Sequence, residues 1–192
     1  AKPAHAAYLF GTTKDGTTFE PDRDMTRAEV AVMIANLDGY DKTVDYSKDL
    51  KIPADLLAEK DNLTKWTDNG FNKLCFILKG KIMQGRDDGD FHPYDTITRQ
   101  EMAIVLGRYM NLTPATGADQ FNDLTGTAVY AEGKGYINAL KADGKINGFP
   151  DGGYHPIENL TRAQAAKMMN SALLREPDIA KMKAANATTA FN

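Results

Sequence analysis

One pattern occurs three times in this chain and limits its fold more than any other feature. The first copy runs Asp15-Gly16-Thr17-Thr18-Phe19-Glu20-Pro21 and reaches Met25-Thr26-Arg27-Ala28-Glu29. The second runs Asp88-Gly89-Asp90-Phe91-His92-Pro93 and reaches Ile97-Thr98-Arg99-Gln100-Glu101. The third runs Asp151-Gly152-Gly153-Tyr154-His155-Pro156 and reaches Leu160-Thr161-Arg162-Ala163-Gln164. In every copy the aromatic residue stands eight positions before the arginine, while the intervals between arginines differ. A fixed inner distance inside a variable outer one marks a repeated structural unit with loops of different length between copies.

Each copy spells a turn, a short extended piece and a helix. Asp-Gly supplies the turn, and glycine is free to take a positive φ. The aromatic is placed to pack beneath that turn, and proline keeps the residue before it out of helical geometry. Thr26, Thr98 and Thr161 are N-cap candidates, followed three residues later by Glu29, Glu101 and Gln164, the pattern of a reciprocal capping box. Such a cap contributes about 0.5–2 kcal/mol, so loss of Thr98 is expected to show in folding. Apolar residues then recur at helical spacing: Val30, Met33, Ile34 and Leu37; Met102, Val105, Leu106 and Tyr109; Ala165, Met168, Met169 and Ala172. These predict one buried face per helix, with the methionines as core.

A leading helix precedes the turn in the second and third copies. Phe71, Leu74, Phe76, Ile77 and Leu78 form one apolar set, and Tyr136, Ile137 and Leu140 the other. Gly80 and Gly144 suit the ends of these helices, and Trp66 and Tyr130 each stand fourteen residues before them. Too few residues precede the first copy for a leading helix. The segment from Pro53 through Ala54, Asp55, Leu56, Leu57 and Ala58 has room for a short extra helix, and Thr113 to Gly117 is a linker. The units are therefore 1–40, a first repeat without its leading helix; 41–112, a second with an inserted segment; 113–176, a third; and 177–192, a tail with a short helix from Pro177 to Met182. Such units are expected to bury their apolar faces against one another.

Arginine at the first helical position is less easily explained. Its cation beside the positive end of the helix dipole costs about 0.3–1 kcal/mol, yet Arg27, Arg99 and Arg162 all occupy that place. Two explanations stand open: a salt bridge to a nearby carboxylate such as Glu29 or Glu101, or donors offered to an anionic ligand at a helix start. Gln164 removes one carboxylate in the third copy, which tilts Arg162 toward the ligand role.

The chain has 192 residues, 42% hydrophobic and 26% charged, with a net charge of −3 and no basic block, which argues against a nucleic-acid partner. No apolar run is long enough for a membrane-spanning helix. Cys75 is alone within Leu74-Cys75-Phe76-Ile77-Leu78, so it reads as a buried inert thiol and no intrachain disulfide forms. His5, His92 and His155 make no catalytic set with it. Asp87, Asp88 and Asp90 cluster in a turn without the closing glutamate of a calcium loop, so no metal and no cofactor is assigned. The chain reads as a binding module rather than an enzyme.

Phe19-Glu20-Pro21 through Glu29, Gly85 through Glu101, and Gly148 through Gln164 resemble surface-layer homology repeats, as do Phe121-Asn122-Asp123 and Lys81-Ile82. The resemblance covers nearly the whole chain. It implies a mainly α fold, a pseudotrimeric three-pronged spindle of helical hairpins around a central helix bundle. It also implies an extracellular place in the cell wall or S-layer, and noncovalent anchoring of an exported protein to bacterial cell-wall polysaccharide through an acidic or pyruvylated terminal sugar. Association with other copies through the rest of a surface-layer protein would follow. Carried over by position, the ligand residues fall on Arg27, Arg99 and Arg162, on Asp88-Gly89 and Asp151-Gly152 with Asp15-Gly16 in the first copy, and on the aromatics Trp66 and Tyr130. The first loop has one extra residue, so Arg27 is expected to matter less than Arg99 and Arg162, whose removal is expected to weaken binding without unfolding the chain. The alternative is a protein-interaction scaffold, or a peptidoglycan-binding module, with structural arginines. Ala190-Phe191-Asn192 resembles the opening of a further repeat, as expected in part of a longer protein.

Overall fold

The computed structural model describes residues 8–12, 18–37 and 39–173. Among them are seven helices: α1 (Arg27–Leu37), α2 (Ala54–Ala58), α3 (Lys60–Lys65), α4 (Gly70–Lys79), α5 (Arg99–Tyr109), α6 (Ala131–Ala142) and α7 (Arg162–Leu173). Extended pairing among the described residues is confined to two isolated bridges, Asp24 with Thr161 and Thr98 with Asn159. The expected tail helix and the Asp15-Gly16 turn lie outside the described residues, and Tyr8 to Thr12 contain no helix. Two compact units result. Among the described residues, one holds Thr26–Asp95, and the other holds Glu20–Met25 with Thr96 to Leu173.

The repeated helices begin where their capping boxes lie. Thr98 Oγ1 accepts the Glu101 N–H at 3.3 Å, and Glu101 Oε2 accepts the Thr98 N–H at 2.8 Å. In the first copy the Glu29 carboxylate accepts the Thr26 N–H at 2.9 Å. Gln164 makes the same bond at 3.3 Å, longer as a neutral acceptor should be. The first two N–H groups of each helix need other partners. Arg27 and Ala28 donate to the carbonyls of Asp95 and Pro93, each at 2.9 Å. Arg99 and Gln100 donate to those of Glu158 and Pro156, and Arg162 and Ala163 to those of Arg23 and Pro21. Every repeated helix is thus served by the loop of a different copy.

In the first unit α4 packs on α1, with α3 against α4. Phe71, Leu74, Cys75 and Ile77 form the buried face of α4. The α1 pattern predicts a single buried face, but Val32 and Ala35 are buried along with Val30, Met33 and Ile34, so α1 is enclosed around its circumference. Its small and branched apolar residues make that possible, since a helix apolar all round belongs in an interior. In the second unit α6 and α7 both contact α5. The inserted segment does carry helix, as α2 and α3.

The two leading helices end differently from the paired-glycine expectation. Gly144 is left-handed at φ 68 after α6, but Gly80 is right-handed and the left-handed residue after α4 is Lys81, at φ 55. Lys81, not Gly80, is therefore the counterpart of Gly144.

Candidate functional site

All three motif arginines are buried, with exposures of 4–5%. Arg27 donates from Nε to the Phe91 carbonyl at 2.9 Å and from a terminal nitrogen to the Gln84 carbonyl at 2.8 Å. Its guanidinium lies 5.0 Å from the centroid of the Phe91 ring. Arg99 repeats this on the third loop: Nε donates to the Tyr154 carbonyl at 2.8 Å, and the guanidinium stacks 4.6 Å from both Phe149 and Tyr154. Burial lowers the pKa of Arg99. Each of these two arginines therefore ties the aromatic strip of another copy's loop to its own helix start. The constant eight-residue spacing within a copy is not the spacing of this contact.

This geometry bears on two expectations. Removing a buried guanidinium leaves the loop carbonyls it serves without that donor, so Arg99→Ala disturbs the scaffold as well as any ligand. Arg27 is engaged in the same way as Arg99, so it too contributes to the scaffold, whatever its share in binding.

The two Asp-Gly turns are held in matching ways. Asp88 Oδ1 accepts the Asp90 N–H at 3.0 Å, and Asp151 Oδ1 accepts the Gly153 N–H at 2.9 Å. These bonds, followed by those to His92 and His155, lower both carboxyl pKa values. Gly89 and Gly152 are left-handed, at φ 89 and 83. Phe91 and Tyr154 are completely buried beneath their turns, and the Tyr154 hydroxyl donates to the Arg99 carbonyl at 3.1 Å.

Trp66 and Tyr130 do not occupy equivalent settings. Trp66 closes α3, half-buried, and its indole lies where a Cβ on Gly70 would fall 2.8 Å away. Tyr130 opens α6 and is 52% exposed. Counted back from Lys81 and Gly144, Tyr130 matches Thr67 rather than Trp66. Thr67, Asp68 and Asn69 are left-handed in succession, a conformation uncommon outside glycine.

Two carboxylates that spacing did not single out hold the loops. Asp55 accepts the N–H groups of Phe91 at 3.0 Å and His92 at 2.6 Å. Asp123 accepts those of Tyr154 at 2.9 Å and His155 at 2.7 Å. Asp123 carried a signal, as the end of Phe121-Asn122-Asp123; Asp55 follows Pro53-Ala54 and carried none. Gln100 is a third such residue: its buried amide donates to the Ala128 carbonyl and accepts the Tyr130 N–H, both at 2.9 Å.

Catalytic and metal chemistry find little to work with. Among the described residues no group of three His, Cys, Asp or Glu side chains is placed to hold a metal ion. Burial pushes the Cys75 thiol up to about 11, which keeps it unreactive at neutral pH. Within the described residues no helix is long and apolar enough to cross a membrane.

The S-layer homology domain pattern matches residues 78–103 and 120–166. Cell surface glycoprotein 1 of Acetivibrio thermocellus is 31% identical over 180 residues, covering 90% of this chain and 7% of that protein. The cellulosome-anchoring protein of the same organism is 31% identical over 176 residues, covering 90% of this chain and 37% of its own length. An endoglucanase of a Bacillus species is 28% identical over 170 residues, 84% of this chain and 16% of the enzyme. The chain spans well under half the length of these relatives. With arginine-tied loops in both copies under the match, residues 78–166 form an S-layer homology domain, a non-catalytic module of the kind that anchors proteins noncovalently at the cell wall or S-layer.

Proposed function

We propose that this module fastens an exported surface protein to bacterial cell-wall polysaccharide by recognising an acidic or pyruvylated terminal sugar. The observation that carries this reading is the company the sequence keeps. A similar segment occurs in a cell surface glycoprotein, a cellulosome-anchoring protein and an endoglucanase. Relatives with such different names share an attachment device more readily than a reaction. The recognition surface is assigned to Asp88-Gly89 and Asp151-Gly152, to the aromatic faces of Trp66 and Tyr130, and to the helix starts at Arg27, Arg99 and Arg162. We further propose that the three copies form a three-pronged pseudotrimer. The exchange of loops supports it, since the second loop serves α1, the third α5 and the first α7.

A second reading has its own support. The donors of Arg27 and Arg99 that reach loop carbonyls favour arginines that build the scaffold, with the exposed loops making the contacts. Sedimentation with purified wall sacculi, before and after chemical removal of their attached polysaccharide, tests the main proposal. Retention on intact sacculi and release after removal is the expected result. Equal retention on stripped sacculi overturns it in favour of peptidoglycan or protein contact. Tyr130→Ala, checked for unchanged melting, then reports whether the exposed surface carries the binding.

A further inference from the structure

In the third loop two carboxylates converge on both ring nitrogens of one histidine. His155 Nε2 lies 2.7 Å from Asp151 Oδ2, and Nδ1 lies 2.9 Å from Glu158 Oε1. A neutral imidazole has one N–H, so it would satisfy one carboxylate and turn a lone pair toward the other. The imidazolium donates to both. We propose that His155, as an imidazolium, is a proton-operated clasp that holds the third loop against Arg99, and that its deprotonation loosens this loop.

The clasp is coupled to Arg99 through one ring. The imidazole stacks on Phe149, with centroids 4.3 Å apart and planes 23° from parallel, and the Arg99 guanidinium packs on the same ring. The charged groups facing His155 are Asp151 and Glu158 on its own loop, Asp123 on its backbone N–H, and Arg99 of α5 across Phe149. The side chain is 26% exposed, so solvent protons reach it.

The other copies vary the device in an informative way. All three hold this position left-handed, with φ 50 at Glu20 and 57 at His92 and His155. In the first copy the charges are reversed: Glu20 replaces histidine and Arg23 replaces the following acid, 3.3 Å apart. In the second copy His92 Nε2 meets Asp88 at 2.7 Å, but Nδ1 is 3.8 Å from Asp95, whose carboxylate is bonded by Arg86. The third loop alone among these has a titratable residue held at both ends.

The sign follows from the partners. The Asp151 bond, against some desolvation and with help from Glu158, raises the His155 pKa above its ordinary value. Stabilisation is then complete below the unfolded value of about 6.5 and is lost as pH rises through the higher folded value. Imidazole nitrogen shifts of ¹⁵N-labelled protein, followed from acid to alkaline pH alongside amide exchange protection of Gly153, Tyr154 and His155, test the clasp. His155 is expected to carry both protons at low pH, to titrate above its unfolded midpoint, and to lose loop protection several-fold through that transition. Glu158→Gln lowers the midpoint. His155→Asn, a residue tolerant of the left-handed region, abolishes the pH dependence. A His155 midpoint at or below that of the unfolded chain overturns the proposal, and the wild-type protein decides this without any variant. So does loop protection that varies equally with pH in His155→Asn. Neither outcome depends on what the module binds.

Discussion

Helices α4 and α6 lead into the second and third loops, yet they are held by opposite means. α4 is filled with large side chains: Phe71, Leu74 and Ile77 are buried against α1, and Tyr40, Tyr46 and Phe76 form an aromatic cluster beside them. α6 gains its contacts by seating side chains on glycines. A Cβ on Gly107 of α5 would lie 2.0 Å from the Tyr136 ring, and one on Gly133 3.1 Å from Gln100. The two converge in one device. A buried asparagine on each helix accepts a loop N–H at 2.9 Å, from Tyr46 at Asn72 and from Gln120 at Asn138. The second copy carries an insertion that the third lacks, and bulk fills the space around it where the third copy uses contact at glycine. Equivalent roles therefore do not require equivalent cores.

The largest expected effect breaks the bulk-filled side. Leu74 is completely buried, and Leu74→Ala should cost about 2–5 kcal/mol in chemical denaturation. A loss below 1 kcal/mol would show that α4 does not depend on close filling. Gly107→Ala attacks the other side, where overpacking should cost about 1–3 kcal/mol despite alanine's better helix propensity. Gly107→Ala that is neutral or stabilising would mean that α5 and α6 have room to separate.

The paired asparagines sharpen the comparison. Asn72→Ala removes three partners, the Tyr46 N–H, the Val44 carbonyl and the Tyr40 hydroxyl. Asn138→Ala removes the Gln120 N–H and the side chain of Asp119. Both should cost about 1–3 kcal/mol, with Asn72 the more sensitive, because buried groups left unpaired carry their full desolvation penalty. Thermal unfolding of the two variants side by side gives the order. The smallest effect concerns the helix starts. Asn69 caps α4 with its side chain from a left-handed backbone, while Tyr130 offers α6 no side-chain cap. Asn69→Ala should cost about 0.5–2 kcal/mol in the same denaturation measurement, and Asn69→Gly much less, since glycine tolerates that conformation. Tyr130→Ala should fall within about 0.5 kcal/mol of the parent in stability, which leaves it a clean probe of wall binding.

Much of this architecture was legible because it is local. A capping box joins residues three apart, an Asx turn residues two apart, and amphipathic spacing needs only a few turns of chain. Thr26, Thr98 and Thr161 therefore marked three helices correctly, and Asp88-Gly89 and Asp151-Gly152 marked two turns. Register was less secure. Matching Gly80 to Gly144 aligned letters rather than conformations, because a lysine accepts the left-handed position after α4. The loop-holding carboxylates were partly hidden: Asp123 belonged to a visible motif, while Asp55 lay in a segment without a counterpart.

The sequence by itself determined where three similar helices begin, that two of them follow Asp-Gly turns, and that their arginines stand at helix starts. Only the tertiary structure decided which loop each helix uses. Arg27 packs on Phe91 and Arg99 on Tyr154, partners more than fifty residues away that no local spacing announces. The physical reason is that a helix start leaves N–H groups unsatisfied without specifying the carbonyls that will meet them. Burial requires partners, and chain folding supplies them from another copy.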